Sequence, residues 1–153
     1  MRKNAKTDVI PDGDAFRELL RKRSMRATPQ RMAVHEAMTE LIHGSAEDVC
    51  EYISSKGDCK ITTASVYNIL SQLSDLGIYS KRLGASNKMV FDVKPYAHIH
   101  LYDSRNDGFV DVVDDELMEL VSAHMKSKRF KGYKVDRIDI QIVAHPTRRG
   151  RRD

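Results

Sequence analysis

The sequence has few cysteines and no long hydrophobic run, and these two absences exclude several classes of protein. Its two cysteines, Cys50 and Cys59, form no C-x-x-C pair. A disulfide-rich secreted domain is therefore not expected, and both residues are read as free thiols in a reducing compartment. The apolar runs are far shorter than the ~18 residues of a membrane span, and no signal peptide is visible. We expect a cytoplasmic protein with no membrane partner.

The charged residues are distributed unevenly along the chain. The 153 residues carry a net charge of +4, which permits a nucleic-acid partner without demanding one. Residues 14–31 hold six Lys or Arg against two acids, and residues 145–153 hold four Arg against one Asp. Residues 103–119 hold seven acids and one base. This arrangement suits a protein that binds phosphate with one region and a cation with another.

The first half of the sequence predicts short helices followed by a hairpin. Four groups of residues are typical of helix starts: Asp14; Thr28 with Pro29; Ser45 with Asp48; and Thr62 or Thr63. The four helices are expected to end at Lys22, before His43-Gly44, near Ser55 and at Gly77. Residues 78–83 and 88–93 then predict a hairpin around residues 84–87. This order is that of a winged helix, whose last helix enters the major groove of DNA.

The second half of the sequence predicts a strand-strand-helix-strand unit. Strands are expected over residues 98–102, 109–113 and 133–144, with a helix over 114–128. The helix should bury four apolar residues: Leu117, Leu120, Val121 and Met125. A unit of about fifty residues is marginal alone, so we expect it to form a homodimer.

The predicted fold class is α+β, with an N-terminal winged helix-turn-helix domain and a small C-terminal α/β dimerisation domain. The expected boundaries are a flexible arm (1–13), the winged-helix domain (14–94), the dimerisation and metal-sensing domain (95–144) and a basic tail (145–153). Pro95 is the expected hinge.

Histidines and aspartates around this hinge predict a metal site. His98 and His100 alternate along a predicted strand, so both can ligate one ion. Asp92, Asp111 and His43 could complete a mixed nitrogen and oxygen ligand set. Such a set favours Fe(II), Mn(II) or Zn(II) over Ca²⁺ and Mg²⁺. From spacing alone, the alternative is that the two histidines are an accidental or structural pair.

Three blocks of sequence closely resemble the signature of the ferric-uptake-regulator (Fur) family. They are Thr28-Pro29-Gln30-Arg31, residues 43–49 (HGSAEDV) and residues 63–70 (TASVYNIL). The resemblance covers about residues 14–144 and implies a metal-dependent repressor, not an enzyme, that binds double-stranded operator DNA as a homodimer. It places the ligands of the regulatory metal, Fe(II) or Mn(II) with Zn(II) possible in vitro, on His43, Asp92, His98, His100 and Asp111.

The resemblance also implies the residues that contact DNA. Tyr67 and Asn68 are expected to read bases with Ser65 nearby, and Arg23, Arg26 and Arg31 to contact phosphate or the minor groove. The alternatives are that Tyr67 packs against the wing and that each arginine is a solvated surface charge. The Arg-rich tail could equally serve solubility.

Two positions resemble the peroxide-sensing members of the family. Iron-uptake members usually carry Glu where this chain has Asp111, and Arg where it has Asn68. The resemblance then implies that Fe(II)-catalysed oxidation of His43 or His98 releases DNA. The alternatives are an iron- or manganese-responsive repressor without peroxide sensing, a small non-haem metalloenzyme and a DNA-binding protein that needs no metal.

One family feature is missing from the sequence. The family's four-cysteine structural zinc would use two C-x-x-C pairs, and the first pair falls here on Asp103 and Asn106. The second should follow the last strand, where the sequence reads Ala144-His145-Pro146-Thr147. No structural zinc held by cysteine is expected, and apolar packing of Val110, Val112, Ile138, Ile140 and Ile142 should compensate.

Overall fold

Four helices and a three-stranded sheet build the first of two compact units. The computed structural model describes residues 10–57, 59–84 and 86–147, and the chain divides after Tyr96. The sequence placed this boundary after Lys94. Most of the predicted arm and most of the basic tail lie outside the described residues.

Side-chain caps set the helix starts of the first unit. Its elements are α1 (Gly13–Lys22), α2 (Pro29–Leu41), β1 (His43–Gly44), α3 (Ala46–Lys56), α4 (Thr63–Asp75), β2 (Ser80–Leu83) and β3 (Met89–Asp92). Thr28 and Thr62 cap α2 and α4, and Ser45 forms a reciprocal capping box with Asp48. The predicted cap of α1 was wrong, because Asp12 rather than Asp14 accepts the free N–H of Ala15 at 2.8 Å.

The core of the first unit lies among its helices and the sheet. Phe16, Val34, Val49, Leu70 and Phe91 are fully buried within it. The sheet has the order β1-β3-β2, both pairs antiparallel, so the predicted hairpin forms the wing and gains a third strand. The α2-α3-α4 helices followed by this sheet form a winged helix with α4 in the position of the recognition helix.

The second unit is a smaller α/β layer. It contains β4 (Ile99–Asp103), β5 (Gly108–Val112), α5 (Asp115–Met125) and β6 (Ile140–Ala144). The strand order is β5-β4-β6, with β4 antiparallel to β5 and parallel to β6. The α+β fold class is confirmed.

Three predictions for the second unit were wrong. The strand expected over 133–144 is limited to Ile140–Ala144, because β4 offers only five partners, Ile99 to Asp103. None of Leu117, Leu120, Val121 and Met125 is buried, and Leu120 is 64% exposed. The apolar residues expected to replace a zinc are likewise only half-buried or exposed, with Val110 at 60% and Ile142 at 40% exposure.

Candidate metal centre and DNA-contacting surface

Strand pairing in the first unit brings His43 and Asp92 together. The two residues are direct partners in the β1–β3 register, and His43 Nε2 lies 3.2 Å from Asp92 Oδ2. The other carboxylate oxygen of Asp92 accepts the backbone N–H of Lys94 at 2.8 Å. Because this hydrogen bond orients the carboxylate, Oδ2 stays directed at the imidazole.

A strained residue precedes His43. Ile42 has φ 63° and ψ −51°, angles near those of the rare classic γ-turn, and a positive φ is costly for a β-branched residue. Its carbonyl accepts the N–H of Val93 at 3.1 Å, so the chain is fixed on both sides of the strained position. Such strain costs about 1–3 kcal/mol and is found at functional sites.

The second unit brings His98, His100 and Asp111 together. His100 and Asp111 are direct partners across β4 and β5, and His98 lies two residues earlier. Asp111 Oδ1 lies 3.2 Å from His98 Nε2 and 3.4 Å from His100 Nε2. Each of the three side chains offers a ligand atom within 4.8 Å of the others.

Both groups of side chains have the chemistry of a transition-metal site. The second unit offers two imidazoles and one carboxylate, and the first unit offers one of each. Fe(II), Mn(II) and Zn(II) accept such mixed donors, whereas Ca²⁺ and Mg²⁺ prefer oxygen alone. The residues present therefore fit a regulatory transition metal.

The exposed surface of α4 carries both predicted base-reading residues. Asn68 is exposed, and Tyr67 is 44% exposed while its ring meets Phe91 of the wing edge-on at 5.9 Å. Ser65 is half-buried, and its hydroxyl accepts the Thr62 hydroxyl at 3.0 Å. Ser65 thus belongs to the helix cap, whereas Asn68 is open to a base.

The three predicted arginines differ in their surroundings. Arg23 and Arg26 are exposed near the end of α1. Arg31 is half-buried, and its guanidinium donates to the Arg26 carbonyl at 2.9 Å and to Gln72 Oε1 at 3.5 Å. Arg31 therefore connects α2 to the recognition helix. Gln72 was not predicted from the sequence, although its position four residues after Asn68 places it on the same exposed face.

Buried His35 has a structural environment. Its ring stacks on Phe16 with 3.8 Å between centroids. Nδ1 lies 2.7 Å from the Tyr79 hydroxyl and Nε2 lies 2.7 Å from the Pro11 carbonyl. Burial lowers the pKa of His35 and raises the pKa of Tyr79.

The fold and these side chains define a class of protein. A winged-helix unit with an exposed recognition helix, followed by an α/β unit bearing imidazole and carboxylate ligands, is the arrangement of a metal-responsive transcription regulator. The chain belongs to the Ferric uptake regulator family, whose profile matches residues 22–143. Members of this family regulate transcription and are not enzymes.

Relatives of both effector types are similar to this chain. The peroxide-responsive repressor PerR of Staphylococcus epidermidis is 28% identical over 102 residues, which cover 66% of this chain and 67% of the relative. The ferric uptake regulation protein of Haemophilus influenzae is 32% identical over 104 residues, 67% of this chain and 70% of the relative.

Solved structures share the fold at low sequence identity. The ferric uptake regulator of Vibrio cholerae gives a TM-score of 0.70 at 20% identity, over 86% of this chain and 99% of that one. The peroxide stress regulator of Campylobacter jejuni gives 0.63 at 22% identity, over 86% of this chain and 96% of that one. Within the residues that the structure describes, no helix has the length and apolar character to cross a membrane.

Proposed function

We propose that the chain is a repressor that binds double-stranded operator DNA as a homodimer when Fe(II) or Mn(II) is held by His43, Asp92, His98, His100 and Asp111. The observation that supports this most directly is that each unit carries an incomplete ligand set. Two protein ligands in one unit and three in the other each leave coordination positions open around a transition metal, as a set of two histidines and one carboxylate does around Fe(II). Asp92 and His98 are six residues apart, at most ~20 Å along an extended chain, so both sets can bind one ion.

In this proposal the ligands couple metal binding to DNA binding. An ion shared between the units favours the arrangement in which all five ligands meet. Because that arrangement binds the metal more tightly than any other, the metal shifts the population towards it. The two recognition helices of the dimer then lie at the spacing of two DNA half-sites. Asn68 would read adenine through its amide, and Tyr67 would contact the neighbouring base or backbone.

The proposed effector is peroxide. Fe(II), when bound, would supply the chemistry that activates hydrogen peroxide, and His43 and His98 are the imidazoles that we propose to be oxidised. Two features support this subtype: the short carboxylate of Asp111, which reaches both histidines of its unit, and Asn68 on the recognition helix. Oxidation of either histidine removes a ligand and thereby releases the DNA.

The second candidate is an iron- or manganese-responsive repressor that does not sense peroxide. It is supported by the 32% identity to the Haemophilus influenzae ferric uptake regulation protein, which exceeds the 28% to the Staphylococcus epidermidis peroxide-responsive repressor. Both candidates require the same five ligands and differ only in their response to peroxide.

One experiment separates the two candidates. Operator binding is measured with the purified protein loaded with Fe(II) or Mn(II), before and after a brief pulse of peroxide. A peroxide sensor loses binding only in the Fe(II) form, and a peptide containing His43 or His98 gains the mass of one oxygen atom. Unchanged binding in both forms identifies the metal-responsive repressor and refutes the peroxide proposal.

We also propose that hydrogen bonds take the place of a structural zinc in the second unit. The Asp103 carboxylate accepts the backbone N–H groups of Arg105 and Asn106 and the side-chain amide of Asn106, at 2.7–3.1 Å. The Asn106 amide lowers the pKa of Asp103. Ser104 donates both its N–H, at 2.8 Å, and its hydroxyl, at 3.0 Å, to the Ala144 carbonyl. The Asp103 bonds hold the β4–β5 turn together, and the Ser104 bonds connect this turn to the end of β6. No cysteine occurs in residues 103–106 or 144–147.

A further inference from the structure

The segment between α5 and β6 carries a concentrated positive charge. Residues 126–137 contain six Lys or Arg and one Asp. The opposite balance holds for residues 103–119, where seven acids accompany one base. The charge of the second unit is therefore segregated, and its basic part lies outside the group of metal ligands.

The basic segment folds into a defined turn, called here the basic turn (residues 126–135). Phe130 and Tyr133 form an isolated antiparallel bridge, and the Tyr133 N–H donates to the Phe130 carbonyl at 2.9 Å. Gly132 has φ 81°, a conformation that glycine adopts without strain. The Arg129 guanidinium donates to the carbonyls of Lys126 and Lys128 at 3.0 and 2.9 Å. The lysines thus project from a fixed backbone.

The side chains of the basic turn are directed to solvent. Tyr133 is 83% exposed and Phe130 is 49% exposed. Together with Lys128, Arg129 and Lys134 they line an open cleft of about 350 Å³. Among the residues that the structure describes, Lys128, Lys131 and Lys134 form no ion pair. Their charge is therefore available to an anionic partner.

We propose that the basic turn binds the phosphate backbone of double-stranded DNA, as a second DNA-contacting surface besides α4. The inference rests on the proposed DNA-binding function. Lysine ammonium groups and tyrosine hydroxyls are among the common donors to phosphate oxygens, and the turn presents both. Contacts of this kind raise affinity without reading sequence, and they make binding strongly dependent on salt.

The test measures operator affinity as a function of salt concentration with metal-loaded protein. The variant is K128Q/K131Q/K134Q, which removes three charges and leaves Arg129 and the glycine turn in place. Each lost phosphate contact lowers the slope of log affinity against log salt by about 0.9. Three lost contacts per turn lower the slope by roughly 2.7 where one turn of the dimer contacts the DNA and by roughly 5.4 where both do, so the loss of affinity between 50 and 200 mM salt becomes at least roughly 40-fold smaller.

Two control variants separate this surface from the recognition helix. K128R/K131R/K134R keeps the charge and retains the wild-type slope. N68A retains the slope but loses the preference for operator over random DNA. The circular dichroism and dimer mass of each variant are compared with those of the wild type.

Three outcomes overturn the inference in different ways. A K128Q/K131Q/K134Q variant with the wild-type slope shows that the turn does not contact DNA. If this slope is unchanged while binding to phosphatidylserine vesicles or to polyglutamate is lost, the partner is a membrane or an acidic protein. A wild-type protein that binds no DNA with Fe(II) or Mn(II) refutes the proposed function, and the inference falls with it.

Discussion

Buried His35 gives the first unit a predicted sensitivity to acid. The Pro11 carbonyl can only accept a hydrogen bond, so Nε2 carries the proton and Nδ1 accepts the Tyr79 hydroxyl. A second proton on Nδ1 would direct two donors at each other unless the buried Tyr79 hydroxyl turned away. Replacing His35 with Gln removes the titrating group and retains one amide donor.

The size of the predicted loss of stability in acid depends on the burial and the hydrogen bonds of His35. His35 is 2% exposed, and burial lowers its pKa from the usual 6.5, although the Pro11 carbonyl and the Asp12 charge oppose this shift. The unfolded chain therefore binds the proton at a higher pH than the folded chain does. The stability contributed by neutral His35 is complete above the unfolded pKa and is lost as the pH falls from 6.5 towards the lowered folded pKa. The limiting slope for one group is about 1.4 kcal/mol per pH unit.

The assay is urea unfolding of the full chain and of H35Q, in chelator, from pH 5 to pH 8. All other residues are common to both proteins, so the difference between them isolates the contribution of His35. At pH 8 the variant should be less stable by about 1–3 kcal/mol, because buried partners of His35 lose hydrogen bonds. The difference should shrink below pH 6.5. A difference that stays constant from pH 5 to pH 8 would refute the reasoning.

Three further predictions concern the ligands, the recognition helix and the β4–β5 turn. H98A should lose metal-dependent operator binding and keep the dimer mass; a mutant with normal metal dependence shows that the ligand assignment is wrong. N68R should shift the preferred base from adenine towards guanine in a selection from random DNA, and an unchanged consensus contradicts base reading by Asn68. S104A should lower the free energy of unfolding by about 1 kcal/mol, with exposed S122A as control; equal effects would show that the bond to Ala144 carries no stability.

The sequence predicted the helix starts well where one side chain determines them. Thr28 before Pro29 and Ser45 before Asp48 both cap the helices that they were expected to cap. The prediction of Asp14 as the cap of α1 was wrong, because Asp12, two residues earlier, competes for the same N–H groups and Gly13 is able to enter the helix. Local sequence carries both possibilities.

Long-range pairing was harder to predict. β1 has two residues, too few for any period, and it exists only because Asp92 and Phe91 lie opposite His43 and Gly44. The alternation after Tyr133 suggested a long strand, but the strand forms only where β4 supplies partners. In both cases the information lies in another part of the chain.

The candidate ligands could be named from the sequence, but their arrangement could not. Spacing placed His98 and His100 on one face, and the register then placed Asp111 directly opposite His100. The pairing of His43 with Asp92 depends on β1 and on strained Ile42, which has no sequence signature. The role of Arg31 as a link to Gln72 required the tertiary structure.

Every residue in the connection from α2 to α3 has a structural role. Ile42 makes the strained turn, His43 and Gly44 pair with the wing, and Ser45 already caps α3. A single inserted residue would move the β1–β3 register by one position and direct the His43 imidazole to the opposite face of the sheet. Natural length variation should therefore avoid residues 42–45, and it should concentrate in connections that hold no ligand.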